Sequence, residues 1–256
     1  MMSGSHVALI SLTSFGASEV RRHGQAWFAR LSHAAGADGI EVRGELLRGE
    51  PEGELEELAA IVSESGMRCV YSSPRGMWDE GGRFDTAAVQ EGLSRAHVLG
   101  ATTLKMSIGR FRPGDAEGWR ALKGLLAGGS VSLLVENDQQ ACSGSRPALE
   151  AFFREADAHT LALGMTFDVG NWHWVGESPL EVASVFSTRV RYVHCKGVFR
   201  RPDKWVAVPL AESSAPWRAI LRALPGEAMR AIEYPLLGDD LLAVTRAALE
   251  GLRHAD

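Results

Sequence analysis

Glu136, Asp168, His194 and Glu233 are the residues of this 256-residue chain whose types and setting could do chemistry together. Apolar residues lead directly into them: Leu133-Leu134-Val135 before Glu136, and Ile232 before Glu233. A carboxylate at the edge of a dry core must be paired or bound to a metal, because an isolated buried charge is too costly. Three carboxylates and one imidazole in convergent positions would suit one divalent metal ion. Oxygen-rich ligation with a single His favours Mn²⁺ or Mg²⁺, with Co²⁺ or Zn²⁺ also compatible. The competing arrangement is an ion-pair network among Glu136, Asp168, Glu233, Lys196 and Arg43. Three acids with one local Lys leave surplus negative charge, which favours the ion.

Other residues are placed by the same parity. Side chains alternate along a strand, so Lys196 shares a face with His194, and Glu41 with Arg43. Lys196 could neutralise a substrate carboxylate, phosphate or enolate oxygen, and joins Glu136 and Glu233 as an expected catalytic group. Expected substrate contacts are Glu41, Arg43, Lys105, Asn171, His173 and Trp174. Trp172 and Trp174 could form an apolar wall, since aromatic rings stack on the C–H face of a sugar. Arg200, Arg201 and Lys204 either draw in an anionic substrate or are a solvated loop, with Trp205 as a lid anchor.

These residues need elements to present them. Eight short β-rich or apolar segments read as strands: Val7–Ser11, Gly39–Arg43, Arg68–Ser72, Thr102–Ser107, Val131–Glu136, Met165–Asp168, Val190–Lys196 and Met229–Glu233. Their ends recur every 28 to 37 residues. Segments of helical periodicity lie between them, such as Ser18–Ala35, Glu54–Ser65 and Thr86–Leu99. Asp115 and Ser178-Pro179 mark helix starts, and Gly36, Gly66, Gly100 and Gly164 sit where helices should end. Eight βα units in about 250 residues predict a single (β/α)₈ TIM barrel domain, α/β in class, over residues 1–256. The first βα turn, Ser11–Ser18, has no G-x-G-x-x-G, which argues against a dinucleotide-binding sheet. Gly197–Ser214 is the longest irregular stretch and is expected to be a lid or active-site loop.

Composition closes off other classes. Net charge is -5 with a pI near 5.9 and no basic block, so neither nucleic acid nor an acidic membrane surface is an expected partner. Three cysteines, Cys69, Cys142 and Cys195, form no C-x-x-C pair, which points to a reducing compartment. Met1 to His6 carries no basic leader and no run of about 18 apolar residues exists, so a cytoplasmic address is expected.

The chain resembles the xylose-isomerase-like barrel superfamily, which includes sugar and sugar-phosphate isomerases and epimerases, inosose dehydratases and 3-dehydroshikimate dehydratases. The resemblance rests on Gly36-Ala37-Asp38-Gly39-Ile40-Glu41, Leu134-Val135-Glu136-Asn137, Phe167-Asp168-Val169-Gly170-Asn171, Val193-His194-Cys195-Lys196 and Ile232-Glu233-Tyr234, in order and at barrel spacing. It implies a metal on Glu136, Asp168, His194 and Glu233, with both glutamates also serving as bases. One departure is Asn171, where many members have His three residues after the strand-six Asp. Among the eight His, only His194 ends a strand, which separates the chain from the multi-zinc endonucleases of that superfamily.

The expected activity is a metal-dependent isomerase or epimerase acting on a sugar or sugar-like polyol. One glutamate would remove a proton next to a carbonyl, the ion would stabilise the enediolate, and the other glutamate would return the proton. The alternatives are a dehydratase of a cyclic polyol or dehydroshikimate-like substrate on the same metal site, and a non-catalytic sugar-binding barrel. Trp172, Trp174 and Trp205, taken as exposed, suggest a homo-oligomer whose partner helps close the pocket.

Overall fold

Strands buried on both faces read as continuous apolar runs, and here eight such runs pair in parallel until the sheet closes on itself. In a computed structural model describing residues 6–49 and 51–255, the barrel strands are β1 (Ala8–Ser11), β2 (Gly39–Arg43), β3 (Arg68–Ser72), β4 (Thr103–Ser107), β5 (Ser132–Glu136), β6 (Gly164–Asp168), β7 (Val190–Cys195) and β10 (Met229–Ile232). The ring runs β1-β10-β7-β6-β5-β4-β3-β2. Helices follow the strands, as a (β/α)₈ TIM barrel requires. The leaderless reading of Met1 to His6 falls, at residues 1–5, outside the described residues.

Register decides what faces inward. Ser11 pairs with Glu41, Ser72 with Lys105, Ser107 with Glu136, and Asp168 with His194. The lower interior is plugged by Leu9, Val70, Leu134, Tyr192 and Ala231. One layer higher, on the same inward parity, stand Ser11, Glu41, Lys105, Glu136, Asp168 and His194. The outward parity, including Ile10, Ile40, Val42, Leu104, Met106, Val135, Phe167 and Val193, packs with the helices into the main core. The barrel is thus apolar below and outside, and charged only at the C-terminal end of its interior.

Three expectations change. Ser18–Ala35 is two helices, Ala17–His23 and Gln25–Ala34, broken at Gly24 with φ +85°. A Cβ there would lie 2.3 Å from the Arg48 guanidinium. The break aims Gln25 at the end of β2, where its amide exchanges hydrogen bonds of 2.9 and 2.8 Å with the Arg43 backbone. Second, Gly36, Gly66 and Gly100 do take positive φ after helices, but Gly164 opens β6 instead. A Cβ there would lie 2.6 Å from Leu134, so its role is close strand approach, and Thr160 (φ 58°) takes the left-handed position. Third, Gly197–Ser214 is not irregular. It folds into an antiparallel hairpin, β8 (Gly197–Arg200) and β9 (Trp205–Val208), then a 3-10 turn at Leu210–Glu212. Arg201 to Lys204 form its tip.

Candidate metal centre

Glu136 ends β5, Asp168 ends β6, His194 lies on β7 and Glu233 follows β10, so four strands along one arc of the ring supply the four groups. One ligand atom from each lies within 4.8 Å of all the others. Nδ1 of His194 is 3.0 Å from Glu136 Oε1, 3.0 Å from Glu233 Oε2 and 3.8 Å from Asp168 Oδ2. Nδ1, Asp168 Oδ2 and Glu233 Oε2 are buried, yet none has a directed hydrogen bond among the described residues. Lys196 Nζ stands 2.8 Å from both of those oxygens and pairs with them as a cation. Three buried donor atoms, one each from His194, Asp168 and Glu233, therefore converge on one small volume beside Glu136 Oε1. Such convergence is what a shared cation requires. The donor set fits one divalent ion.

The remaining atoms of each group are held from outside. Asp168 Oδ1 accepts from the backbone N–H of Gly170 and Asn171, at 2.8 and 2.9 Å. Glu136 Oε2 accepts from Lys105 at 2.7 Å, and Glu233 Oε1 from Arg43 at 2.7 Å. The Asn137 side chain locks the end of β6 by accepting from Asp168 N–H at 2.8 Å and donating to its carbonyl at 3.0 Å.

Electrostatics follow from this packing. Burial would push the carboxyls of Glu41, Glu136 and Glu233 up, but neighbouring cations outweigh it. Lys105 and His194 hold Glu136 below the usual carboxylate range, and His194 and Lys196 hold Glu233 well below it. Burial would lower His194, but Glu233 and Glu41 hold it well above its ordinary value in the metal-free protein. Desolvation pushes the thiol of Cys195 up to about 12, which leaves it an inert apolar neighbour of the site.

Several expected substrate contacts lie elsewhere. Glu41 is fully enclosed, with its Oε2 2.7 Å from His194 Nε2, and cannot touch a substrate. Lys105 is equally enclosed and is spent on Glu136 and, at 3.5 Å, Glu41. Asn171 donates to the Asn137 carbonyl at 2.9 Å and accepts from Gln139 and Lys196 at 3.1 and 3.2 Å, so it orients Lys196. Trp172 is wholly buried against Phe167 and Phe186, which removes it both from a sugar wall and from an oligomer surface. Arg43 stays partly open at the mouth. Trp174 is half-buried. His173 packs on Trp205 of the hairpin with ring centres 4.8 Å apart, and its Nε2 is buried without a partner among the described residues. Arg200 lies over the same indole.

Cavity size does not follow the chemistry. A cavity of about 650 Å³ lies at the opposite end of the barrel, lined by Thr103, Ser132, Leu134 and Gly164. A smaller one, about 400 Å³, opens beside β4 and β5 at the mouth, lined by Arg75, Ser107, Arg110, Asp138, Gln140 and Ser143. The convergent charged groups lie at the mouth, away from the larger cavity.

Residues 29–253 match the profile of the xylose isomerase-like TIM barrel family. The chain belongs to this family. No curated protein sequence matches it. Among solved structures, it is similar to a D-allulose 3-epimerase from Methylomonas sp. in complex with D-allulose, at 14% identity over 99% of this chain and 98% of that one, with a TM-score of 0.66. It is similar to a probable 3-DHS dehydratase, AsbF, from Bacillus anthracis, at 13% identity over 97% and 99%, with a TM-score of 0.67. A 3-keto-D-glucoside 4-epimerase from E. coli matches at 13% identity over 97% and 99%, with a TM-score of 0.64. At such identities these likenesses show the fold alone; the proteins so matched are two epimerases and a probable dehydratase.

Among the described residues no helix is long and apolar enough to cross a membrane.

Proposed function

We propose that this protein is a divalent-metal-dependent isomerase or epimerase acting on a sugar or sugar-like polyol by proton abstraction next to a carbonyl. The observation that carries the reading is the convergence of four donor atoms, from three carboxylates and one imidazole, within 4.8 Å of one another at the end of the barrel. A bound Mn²⁺ or Mg²⁺ would supply Lewis-acid stabilisation of the negative charge that develops on the carbonyl oxygen. The protein's own groups do the rest. Glu136 and Glu233 approach from strands separated in the ring by β6 and β7, so they flank a substrate from different sides. One takes the C–H proton and the other returns it to the opposite face. Lys105 and Arg43 each occupy one oxygen of one glutamate and leave the other, Glu136 Oε1 or Glu233 Oε2, beside His194 Nδ1 at the candidate centre. Lys196, tethered by Asn171, presents an ammonium where a substrate oxygen would arrive. His173, Trp174 and Arg43 remain as the rim groups that contact the polyol.

Metal analysis of the purified protein, then solvent-deuterium incorporation into a panel of ketoses and cyclitols, tests this. Stoichiometric metal and exchange at a carbon next to the carbonyl are expected. A protein that binds no divalent ion, or one that exchanges no substrate in the panel, overturns it. One observation favours a second reading. Lys196 Nζ lies 2.8 Å from Asp168 and Glu233 carboxylates and could donate a proton to a departing β-hydroxyl, which would make the same site a dehydratase. Loss of water from a cyclic polyol, read by the absorbance of the new conjugated product, distinguishes the two.

A further inference from the structure

Glu41 is fully enclosed in the barrel interior, on the second strand, 153 residues before its main partner. Its Oε2 lies 2.7 Å from His194 Nε2. Its Oε1 accepts from Ser11 Oγ at 3.0 Å and from Arg43 Nη1 at 2.9 Å, with Lys105 Nζ 3.5 Å away. Ser11 is the register partner of Glu41 across β1 and β2, so the hydroxyl fixes the carboxylate's rotamer from the adjacent strand. Arg43 and Lys105 supply its countercharge. The buried carboxylate is therefore immobilised on one oxygen and delivered to the imidazole with the other. A buried ion pair by itself is a weak argument for stability, since an apolar replacement of like volume often serves as well. What an apolar replacement could not do is choose between the two nitrogens of His194.

We propose that Glu41 is the positioning residue of the cation centre. It holds His194 with a proton on Nε2, so that the Nδ1 lone pair faces Glu136, Asp168 and Glu233. An imidazole can ligate through either nitrogen, and the partner of one nitrogen sets which is free. Here Nε2 is taken by Glu41 at 2.7 Å, while Nδ1 faces the candidate ligands, 3.0 Å from Glu136 Oε1 and Glu233 Oε2 and 3.8 Å from Asp168 Oδ2. The carboxylate also increases the basicity of the ring as a ligand. Glu41 touches no substrate and acts only through His194. This inference rests on the metal-dependent reading of the site.

Titration calorimetry of Mn²⁺ into metal-stripped wild type, Glu41→Gln, His194→Asn and the double variant tests it, with circular dichroism and melting as fold controls. Glu41→Gln should remain folded and bind Mn²⁺ about 10- to 100-fold more weakly, the usual cost of losing such an outer partner. In the His194→Asn background the same change should alter affinity by less than about threefold, because the imidazole through which Glu41 acts is gone. ¹⁵N-histidine spectra of the Zn²⁺-loaded wild type should show Nε2 protonated and Nδ1 ligated. Affinity of Glu41→Gln within threefold of wild type, an equal loss in both backgrounds, or ligation through Nε2 would each overturn the proposal. Should Glu41→Gln not fold, the wild-type spectra still decide it. Wild type that binds no Mn²⁺ would sink the metal reading itself, an outcome distinct from a wild type that binds and a variant that binds equally well.

Discussion

Loading the centre with a divalent cation must expel the proton that His194 carries in the metal-free protein. Nδ1 has carboxylate oxygens at 3.0, 3.0 and 3.8 Å, and Nε2 has another at 2.7 Å. Burial pushes the imidazole down, but Glu233 and Glu41 outweigh both burial and the opposing charge of Lys105, and the group ends well above 6.5. So raised, it is expected to be a cation at pH 7. Nδ1 cannot hold a proton and donate its lone pair at once, so one proton leaves for each ion bound. Apparent affinity should then rise about tenfold, or ~1.4 kcal/mol, for each pH unit below the folded pKa of His194. Calorimetric titration of Mn²⁺ at pH 7 in two buffers of different ionisation enthalpy counts the protons, and a value near one is expected. The stability sign follows from the same shift. A raised folded pKa stabilises the metal-free protein fully below the unfolded value near 6.5, and this contribution disappears as pH rises through the folded pKa. The metal-induced gain in Tm should therefore grow with pH across that window. Stoichiometric binding with no proton released at pH 7 would refute the argument, because the imidazole could not then have been charged.

Three further outcomes are expected. Glu136→Gln and Glu233→Gln keep shape and an acceptor oxygen, so each should stay folded by circular dichroism and lose at least about a hundredfold in turnover, the usual contribution of a positioned base; near-native kcat in both would show that neither is one. Lys105→Met removes a buried cation from two carboxylates, Glu136 at 2.7 Å and Glu41 at 3.5 Å, which keep only their remaining partners, and should cost about 3–5 kcal/mol. At roughly 2 °C per kcal/mol for a chain of this length, calorimetry of the metal-free variant should show Tm lowered by about 6–10 °C. Trp172→Ala empties a fully buried indole site between Phe167 and Phe186 and should cost about 3–5 kcal/mol in urea unfolding, whereas an unchanged midpoint would contradict its place in the core.

The parts of the fold that are legible in the sequence are those written in local pattern. Gly39–Arg43 and Arg68–Ser72 have the expected bounds, and the other barrel strands differ by single residues at an end, because an apolar run stopped by polar residues marks a strand without reference to anything distant. The four ligand candidates were visible for the same reason, as charged residues directly after such runs. What depends on register was not. Glu41 shares a face with Arg43 in the sequence, but its bond to His194 arises only when the ring closes. Lys105 likewise meets Glu136 through the pairing of β4 with β5. Alternation along one strand gives parity and not the neighbour across the barrel. The hairpin was hidden because Arg200-Arg201-Pro202-Asp203-Lys204 interrupts its alternation, and Trp172 because an aromatic in a short turn carries no period to say which way it points.

The charge balance at the mouth also differs from what the strand ends imply. Counting only Lys196 against three acids suggests surplus negative charge. The folded chain brings Glu41 into the group, but it also brings Arg43 and Lys105, so four carboxylates face three permanent cations around His194. With His194 charged these buried groups balance, Glu45 adding its carboxylate to Arg43 from the more exposed side at 2.9 Å, which explains how so many charged groups can share a buried layer without an ion. Exchanging that proton for a divalent cation leaves one surplus positive charge. A neutral polyol does not use it. The anion formed when a proton leaves the carbon next to a carbonyl does, and only at that moment. An interaction that strengthens as the reaction proceeds accelerates it, whereas one that is equally strong for the bound substrate does not. On the proposed function, then, Arg43, Lys105 and Lys196 do more than neutralise the ligands. They set the charge of the loaded site to the value that complements the reacting state rather than the substrate.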